Sequence, residues 1–139
     1  MKRIPKNRRN SQQKEGAFLL LPHKIINHPE FLIMNWASQA LLIHIGSFHN
    51  GSNNGDISIP HSIMKLRGWS KGSLADAKNE LLEYDWIRLT RQGGKTKIPS
   101  LYALSWKPID ADVKPCKLDI NVSIDKLRPL WMPARSMLA

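Results

Sequence analysis

The sequence predicts an α+β fold, with a core of three helices followed by a small β-hairpin and a tail at each end. Three observations support this prediction. Apolar residues recur at helical spacing after Ser70, apolar and polar residues alternate in two short segments around a basic loop, and Gly or Asn residues separate the segments. With 139 residues, of which 42% are hydrophobic, the chain is long enough for one domain with a core of ordinary size.

The formal net charge of +10 indicates a polyanionic partner, which would be either nucleic acid or an anionic membrane surface. The membrane alternative is the weaker one, because no apolar run approaches the roughly 20 residues that span a bilayer. No secretory signal follows the basic N-terminus. Cys116 is the single cysteine, so we expect a plain small hydrophobe and no intrachain disulfide. These features predict a cytoplasmic, nucleoid-associated protein without a membrane partner.

The N-terminal arm, residues 1–16, is rich in Lys and Arg and has almost no apolar side chain to bury, so we expect a flexible, disordered segment. Two interpretations stay open. The arm is either a solvated tail or a segment that lies along phosphates or enters a minor groove. In the second case its contacts would come from Lys2, Arg3, Lys6, Arg8 and Arg9.

The first helices follow an apolar lead-in at residues 17–21, which is either a short strand or extended chain. Residues 22–27 predict a short helix that stops before Pro29. A longer helix should run from Trp36 to Phe48 with Asn35 as its N-cap. This helix is apolar on nearly all sides, so we expect burial on more than one face.

A turn separates this helix from the next segment. Residues 50–55 read Asn-Gly-Ser-Asn-Asn-Gly, and both residue types tolerate the positive φ that turns require. Residues 56–59 then predict a short strand with Ile57 and Ile59 facing one way.

The second core helix should begin at Pro60, because the missing N–H of proline costs nothing in a first helical position. We expect it to run to Arg67 and to bury Ile63 and Leu66. Gly68-Trp69 then forms a turn.

The third core helix should follow Ser70, which is a good N-cap, and end near Tyr84 or Asp85. Asp85 can adopt the left-handed conformation that a helix C-terminus needs. The helix has a core stripe at helical spacing, formed by Leu74, Ala77 and Leu81 with Leu82 beside it.

The hairpin is predicted from residues 86–90, with Ile87 and Leu89 inward, and from residues 101–106. In the second strand Tyr102, Leu104 and Trp106 share one face. Residues 17–108 therefore form the predicted domain. Residues 109–139 form an irregular C-terminal extension, which docks on the domain or on a partner and includes a short helix at residues 124–130.

The order of these elements is that of a winged helix-turn-helix, in which the helix after the turn enters a major groove and the hairpin reaches flanking phosphates. The outer side of the third helix would carry Lys71, Gly72, Ser73, Ala75, Asp76 and Asn79. Lys71 and Ser73 lie at its N-terminus, where the helix dipole and N–H groups favour a phosphate. Asn79 can read adenine, whereas Asp76 can accept from cytosine. Arg91, Lys95 and Lys97 of the hairpin would hold phosphates. An ordinary solvated helix face is the alternative interpretation.

Five segments carry a resemblance to a known family: Phe18-Leu19-Leu20-Leu21-Pro22, residues 50–55, Gly68-Trp69-Ser70, residues 81–87 and Tyr102-Ala103-Leu104-Ser105-Trp106. From Phe18 to about Trp106 the chain resembles the winged helix-turn-helix DNA-binding proteins of bacterial plasmids, phages and integrated mobile elements. The resemblance implies DNA binding with the helix after Ser70 as reader. In one departure, Tyr84-Asp85-Trp86 stands where many such proteins have Gly.

No metal or catalytic pattern is predicted. His23 and His28, like His44 and His49, lie five residues apart, whereas one helix face requires three or four. Asp110 and Asp112 lack a histidine at a useful spacing, and Glu80 and Glu83 are expected to solvate their helix. We therefore expect no enzyme activity, metal, cofactor or small-molecule ligand.

The tryptophans have two expected roles. Trp36, Trp69, Trp86 and Trp106 fall where core packing would use them. Trp131 lies far from the predicted core and either docks back on the domain or anchors a partner or a homodimer.

Three functions are compatible with these features. The leading one is sequence-specific binding of double-stranded DNA by a transcriptional regulator. A second is a replication initiator or accessory protein of a mobile element. The third is a protein- or RNA-interaction module on the same fold.

Overall fold

The computed structural model describes residues 16–19, 21–94, 97–119 and 126–130. Within these ranges the chain is α+β, with five α-helices and one two-stranded antiparallel sheet. None of the helices in this part of the chain has the length and apolarity needed to cross a membrane. Residues 1–15, Lys95, Ser123 and Trp131 lie outside the described ranges, so the predictions made for them stay predictions.

Two short helices open the domain, where one was predicted. Helix α1 spans His23–Ile26, and helix α2 spans Pro29–Leu32. The second begins because Pro29 suits a first helical turn and because Nδ1 of His28 accepts the N–H of Glu30 at 3.0 Å.

Helix α3 spans Trp36–Phe48, as predicted. Its core side carries Leu41 and Ile45, both 0% exposed, and the Leu19 side chain packs against Gly46 on another side. Burial on more than one face is thus confirmed. The expected core position of Trp36 is wrong, because Trp36 lies across the helix from Leu41 and Ile45 and is 87% exposed.

The α4 segment is shorter than predicted. The helix spans His61–Met64 with Pro60 as N-cap, and a 3-10 turn spans Lys65–Arg67. Met64 is 0% exposed, whereas Ile63 and Leu66 are 46% and 82% exposed, so the predicted burial of those two residues is wrong. The change to 3-10 geometry at Lys65 alters the angular position of Leu66, which follows it.

Helix α5 spans Lys71–Glu83 and begins after Gly68, which has the left-handed φ of 92° that the turn requires. Its core stripe is confirmed, since Leu74, Ala77 and Leu81 are at most 3% exposed. The helix ends as predicted, with Asp85 in the left-handed region at φ 57°.

Strand β1 spans Ile87–Arg91 and pairs antiparallel with β2, Leu101–Leu104. A register shift between Leu89 and Arg91 interrupts the alternation of side chains. Thr90 is consequently buried and donates its hydroxyl to the Gly55 carbonyl at 2.7 Å. Leu89 is 36% exposed, so its predicted inward position is wrong.

The segment before α4 is joined to the sheet by a single bridge. Ile57 pairs with Tyr102 in an isolated bridge, and residues 56–59 do not form the predicted strand. Ile57 and Ile59 are nevertheless buried, as expected.

Asn54 connects the predicted turn to the end of β2. Its side chain is 0% exposed and accepts the N–H of Leu104 at 2.7 Å. Its Nδ2 donates to the carbonyls of Leu104, Lys107 and Pro108 at 3.2, 3.1 and 2.9 Å. A polar residue can occupy this buried position because nearly all of its hydrogen-bonding capacity is satisfied.

The described part of the C-terminal extension packs on the helices and the sheet. The N–H of Asp119 donates to the Thr90 carbonyl at 2.9 Å, and that of Arg128 donates to the Ser105 carbonyl at 2.8 Å. Residues 126–130 contain no helix, so this part of the helix predicted at 124–130 is wrong. Backbone pairing with Ser105 takes its place.

Candidate nucleic-acid interface

The N-terminus of α5 is fixed by a reciprocal cap between two serines. The Ser70 hydroxyl accepts the N–H of Ser73, and the Ser73 hydroxyl accepts the N–H of Ser70, both at 3.1 Å. Both the N–H and the hydroxyl of Ser73 are thus used within the cap. The N–H groups of Lys71 and Gly72, which open the helix, have no partner within it.

The outer face of α5 is open among the described residues. Lys71, Gly72, Ala75, Asp76 and Asn79 are all exposed, and Ser73 is half-buried. A Cβ added at Gly72 would meet no atom within 4 Å. The helix is held from its other face by Leu74, Ala77 and Leu81, so this surface is displayed without a role in packing.

The described part of the hairpin loop is held by short-range hydrogen bonds. The Arg91 guanidinium donates to the Pro99 carbonyl at 2.8 and 3.3 Å, and the N–H of Gly93 donates to the Ser100 hydroxyl at 2.9 Å. Lys97 is exposed, with a left-handed φ of 60°. Arg91 therefore shapes the loop, and Lys97 is the freer cation of the two.

Arg67 is a basic residue of this region that sequence reasoning missed. It is exposed one residue before the Gly68 turn, and its Nη1 donates to Nδ1 of His44 at 2.9 Å. Its guanidinium also lies 4.5 Å from the centroid of the Phe48 ring. These contacts hold a positive charge close to the N-terminus of α5. The partners lie about 20 residues earlier in the chain, so only proximity to the turn could have singled out Arg67.

Two pKa shifts accompany these contacts. Burial, with the neighbouring Arg67 charge as the lesser cause, lowers the pKa of His44. A neutral His44 is the form that can accept the Arg67 hydrogen bond at Nδ1.

Burial also lowers the pKa of Lys78, whose Nζ lies 5.6 Å from the centroid of the Tyr102 ring.

Several polar residues have partners that their sequence spacing did not predict. Glu80 accepts the backbone N–H of Asn35 at 2.8 Å, so it joins α5 to α3 and does not merely solvate its helix. Asp110 lies 3.4 Å from Nε2 of His49 and accepts the N–H of Asn54 at 2.7 Å. Cys116, expected to be a plain small hydrophobe, is exposed.

Comparison of the chain with protein-family models, with curated proteins and with solved structures finds no match. Among the described residues, three structural features define the candidate interface: the capped α5, its open outer face, and the basic side chains beside its N-terminus.

Proposed function

We propose that this chain is a winged helix-turn-helix protein that binds double-stranded DNA sequence-specifically and acts as a transcriptional regulator. In this proposal α4, the Gly68 turn and α5 form the helix-turn-helix, and the β1–β2 hairpin is the wing. The observation that carries the proposal is the exposed outer face of α5 after the Ser70 cap.

The chemistry of the α5 face supports insertion into a major groove. Gly72 and Ala75 are small and exposed, which would let the helix backbone approach base edges closely. Asn79 offers the donor and acceptor pair that matches adenine, and Asp76 is an acceptor for the cytosine amino group. Lys71, beside the positive end of the helix dipole, would hold a phosphate and set the orientation of the helix.

The charge of the chain supports binding to a polyanion. Its formal net charge is +10, and exposed cations near the turn and in the hairpin loop include Lys65, Arg67, Lys71 and Lys97. Contacts between these cations and DNA phosphates release counterions from the DNA. If the protein engages about 6–10 phosphates, its affinity for a duplex should fall on the order of a thousandfold or more between about 50 and about 200 mM salt. A salt-independent affinity would contradict the proposal.

Selection of bound duplexes from a random pool tests specificity. We expect one enriched motif, and no enrichment would contradict sequence-specific reading. Asn79→Ala should relax selection at one base, at a cost of about 1–3 kcal/mol, whereas Lys71→Ala should weaken all duplexes alike.

Footprinting then tests the regulatory role. Protection of the promoter of the chain's own gene or of neighbouring genes is expected for a regulator. Protection confined to repeats at the replication origin of a mobile element would favour the replication alternative.

A further inference from the structure

A group of large apolar side chains is exposed where α2 leads into α3. We call this group the apolar patch. Its members are Leu32 (60% exposed), Ile33 (58%), Trp36 (87%) and Ile43 (46%). Trp36 and Ile43 lie seven residues apart on α3, which places them on one side of the helix. Ala40 continues the same stripe, four residues after Trp36.

The apolar patch lies in a long uncharged segment of a strongly basic chain. Residues 31–55 contain no Lys, Arg, Asp or Glu, although the chain carries a net charge of +10. An acidic partner would bind to the basic residues, which lie elsewhere in the chain. Two copies of a chain of like charge, in contrast, repel each other least where neither of them carries a charge.

The position of the patch leaves the opposite end of α5 open. The N–H of Asn35, beside Trp36, donates to Glu80 at 2.8 Å. Glu80 lies nine residues beyond Lys71, or about 13 Å along the helix axis. The patch is therefore next to the C-terminal part of α5, and a partner seated on it need not cover Lys71 or Gly72.

We propose that the apolar patch is the surface through which two copies of this chain pair, with α3 of one copy against α3 of the other around a twofold axis. In such an isologous contact each copy presents the same residues, so Trp36 and Ile43 would be covered in both. The pairing does not depend on DNA binding. If the proposed function also holds, the pair presents two α5 N-termini and reads a site with twofold symmetry.

The area available predicts a dimer of moderate affinity. The four side chains together expose on the order of 400–500 Å², about half of the roughly 800 Å² that each partner contributes to a standard interface. Patches of several hundred Å² on a single copy commonly mark an interaction site. The remaining contact would come from Ala40, a small residue of the stripe that lets the two helices approach closely.

Sedimentation velocity of the full chain tests the pairing. Over protein concentrations from about 1 to about 300 µM, which bracket the affinities of small interfaces, we expect a monomer–dimer transition. Trp36→Glu and Ile43→Glu should each shift the transition to at least tenfold higher concentration. Leu66→Glu is the matched control, since Leu66 is an 82% exposed apolar residue outside the patch, and should leave it unchanged.

Cross-linking locates the contact. In a Cys116→Ser background, Ala40→Cys should cross-link to its own copy with a short thiol reagent, whereas Leu66→Cys should not. A chain that stays monomeric throughout, or a dimer that both patch variants leave intact, overturns the proposal. So does a dimer that Leu66→Glu dissociates equally. DNA binding by the wild-type chain is measured separately, so failure of the pairing and failure of the proposed function are distinguishable.

Discussion

Arg128 donates to the carboxylate of Glu30 at 2.9 Å, although the two residues lie 98 positions apart in the chain. The side chains are 2% and 0% exposed. The Arg128 guanidinium also lies 3.7 Å from the centroid of the Trp86 ring. One ion pair thus joins the C-terminal segment to α2 and to the aromatic core, so the extension contributes to the stability of the domain.

Arg128→Met should destabilise the protein strongly. Removing the positive charge beside the fully buried Glu30 carboxylate should lower the free energy of unfolding by about 3–5 kcal/mol. Urea denaturation measures this loss, and adding Glu30→Gln should recover part of it. Lys117→Met breaks the more exposed pair with Asp56, whose side chains are 45% and 29% exposed, and serves as the control. That change should cost less than about 1 kcal/mol. Equal losses in the two single variants would contradict this account of the extension.

Ser70→Ala should weaken α5 at its N-terminus. The variant removes the acceptor for the Ser73 N–H and should cost about 1 kcal/mol in the free energy of unfolding. Ser70→Asp keeps an acceptor at the same position and should retain most of the stability. If thermal unfolding gives the same loss for both variants, the reciprocal serine cap is not what stabilises this end of the helix.

Gly72→Ala should raise the stability of the protein and lower its affinity for DNA. Open space surrounds Gly72, so an added methyl group meets no atom, and alanine in a helix is favoured over glycine by about 1 kcal/mol. We therefore expect higher stability in urea. If Gly72 lies against a groove, the same methyl group should reduce affinity for a selected duplex. A variant that is more stable and binds as well as the wild type would contradict close approach at Gly72.

Stability should depend on pH through His44. Its pKa is lowered from 6.5, chiefly by burial and further by Arg67, so the unfolded chain takes up this proton at higher pH than the folded chain. The folded state therefore keeps its full stability with respect to His44 above pH 6.5. It loses stability as the pH falls toward the lowered pKa of His44 in the folded state. Urea midpoints between about pH 7.5 and about pH 5.5 measure this loss. His44→Gln should show a smaller decrease than the wild type, and an identical decrease would contradict the assignment.

The sequence was most informative where local chemistry decides the structure. The Ser70 cap, the Leu74–Ala77–Leu81 stripe and the left-handed Asp85 depend on neighbours within one or two helical turns, and all three predictions are confirmed. The α+β class follows from the same local patterns.

The wrong predictions concern short segments or distant contacts. In α4, three apolar residues within four positions did not determine which of them faces the core, and Met64 took the place expected for Ile63 and Leu66. Leu89 keeps regular pairing with Tyr102 but is 36% exposed, so alternation alone did not determine its burial. The Arg128–Glu30 pair and the Arg67–His44 contact join residues that are far apart in sequence, where periodicity carries no signal.

Fluorescence anisotropy with a selected duplex tests the central claim most directly, by comparing two double variants matched in residue type. Lys71→Ala/Asn79→Ala removes one lysine and one asparagine from the exposed face of α5. Lys24→Ala/Asn27→Ala removes the same two residue types from exposed positions at α1. We predict that the α5 variant loses at least tenfold in affinity, since a phosphate contact and a base contact together are worth more than about 1.4 kcal/mol. The α1 variant should stay within about threefold of the wild type. Equal losses in both variants, or no loss in the α5 variant, would contradict DNA reading by α5.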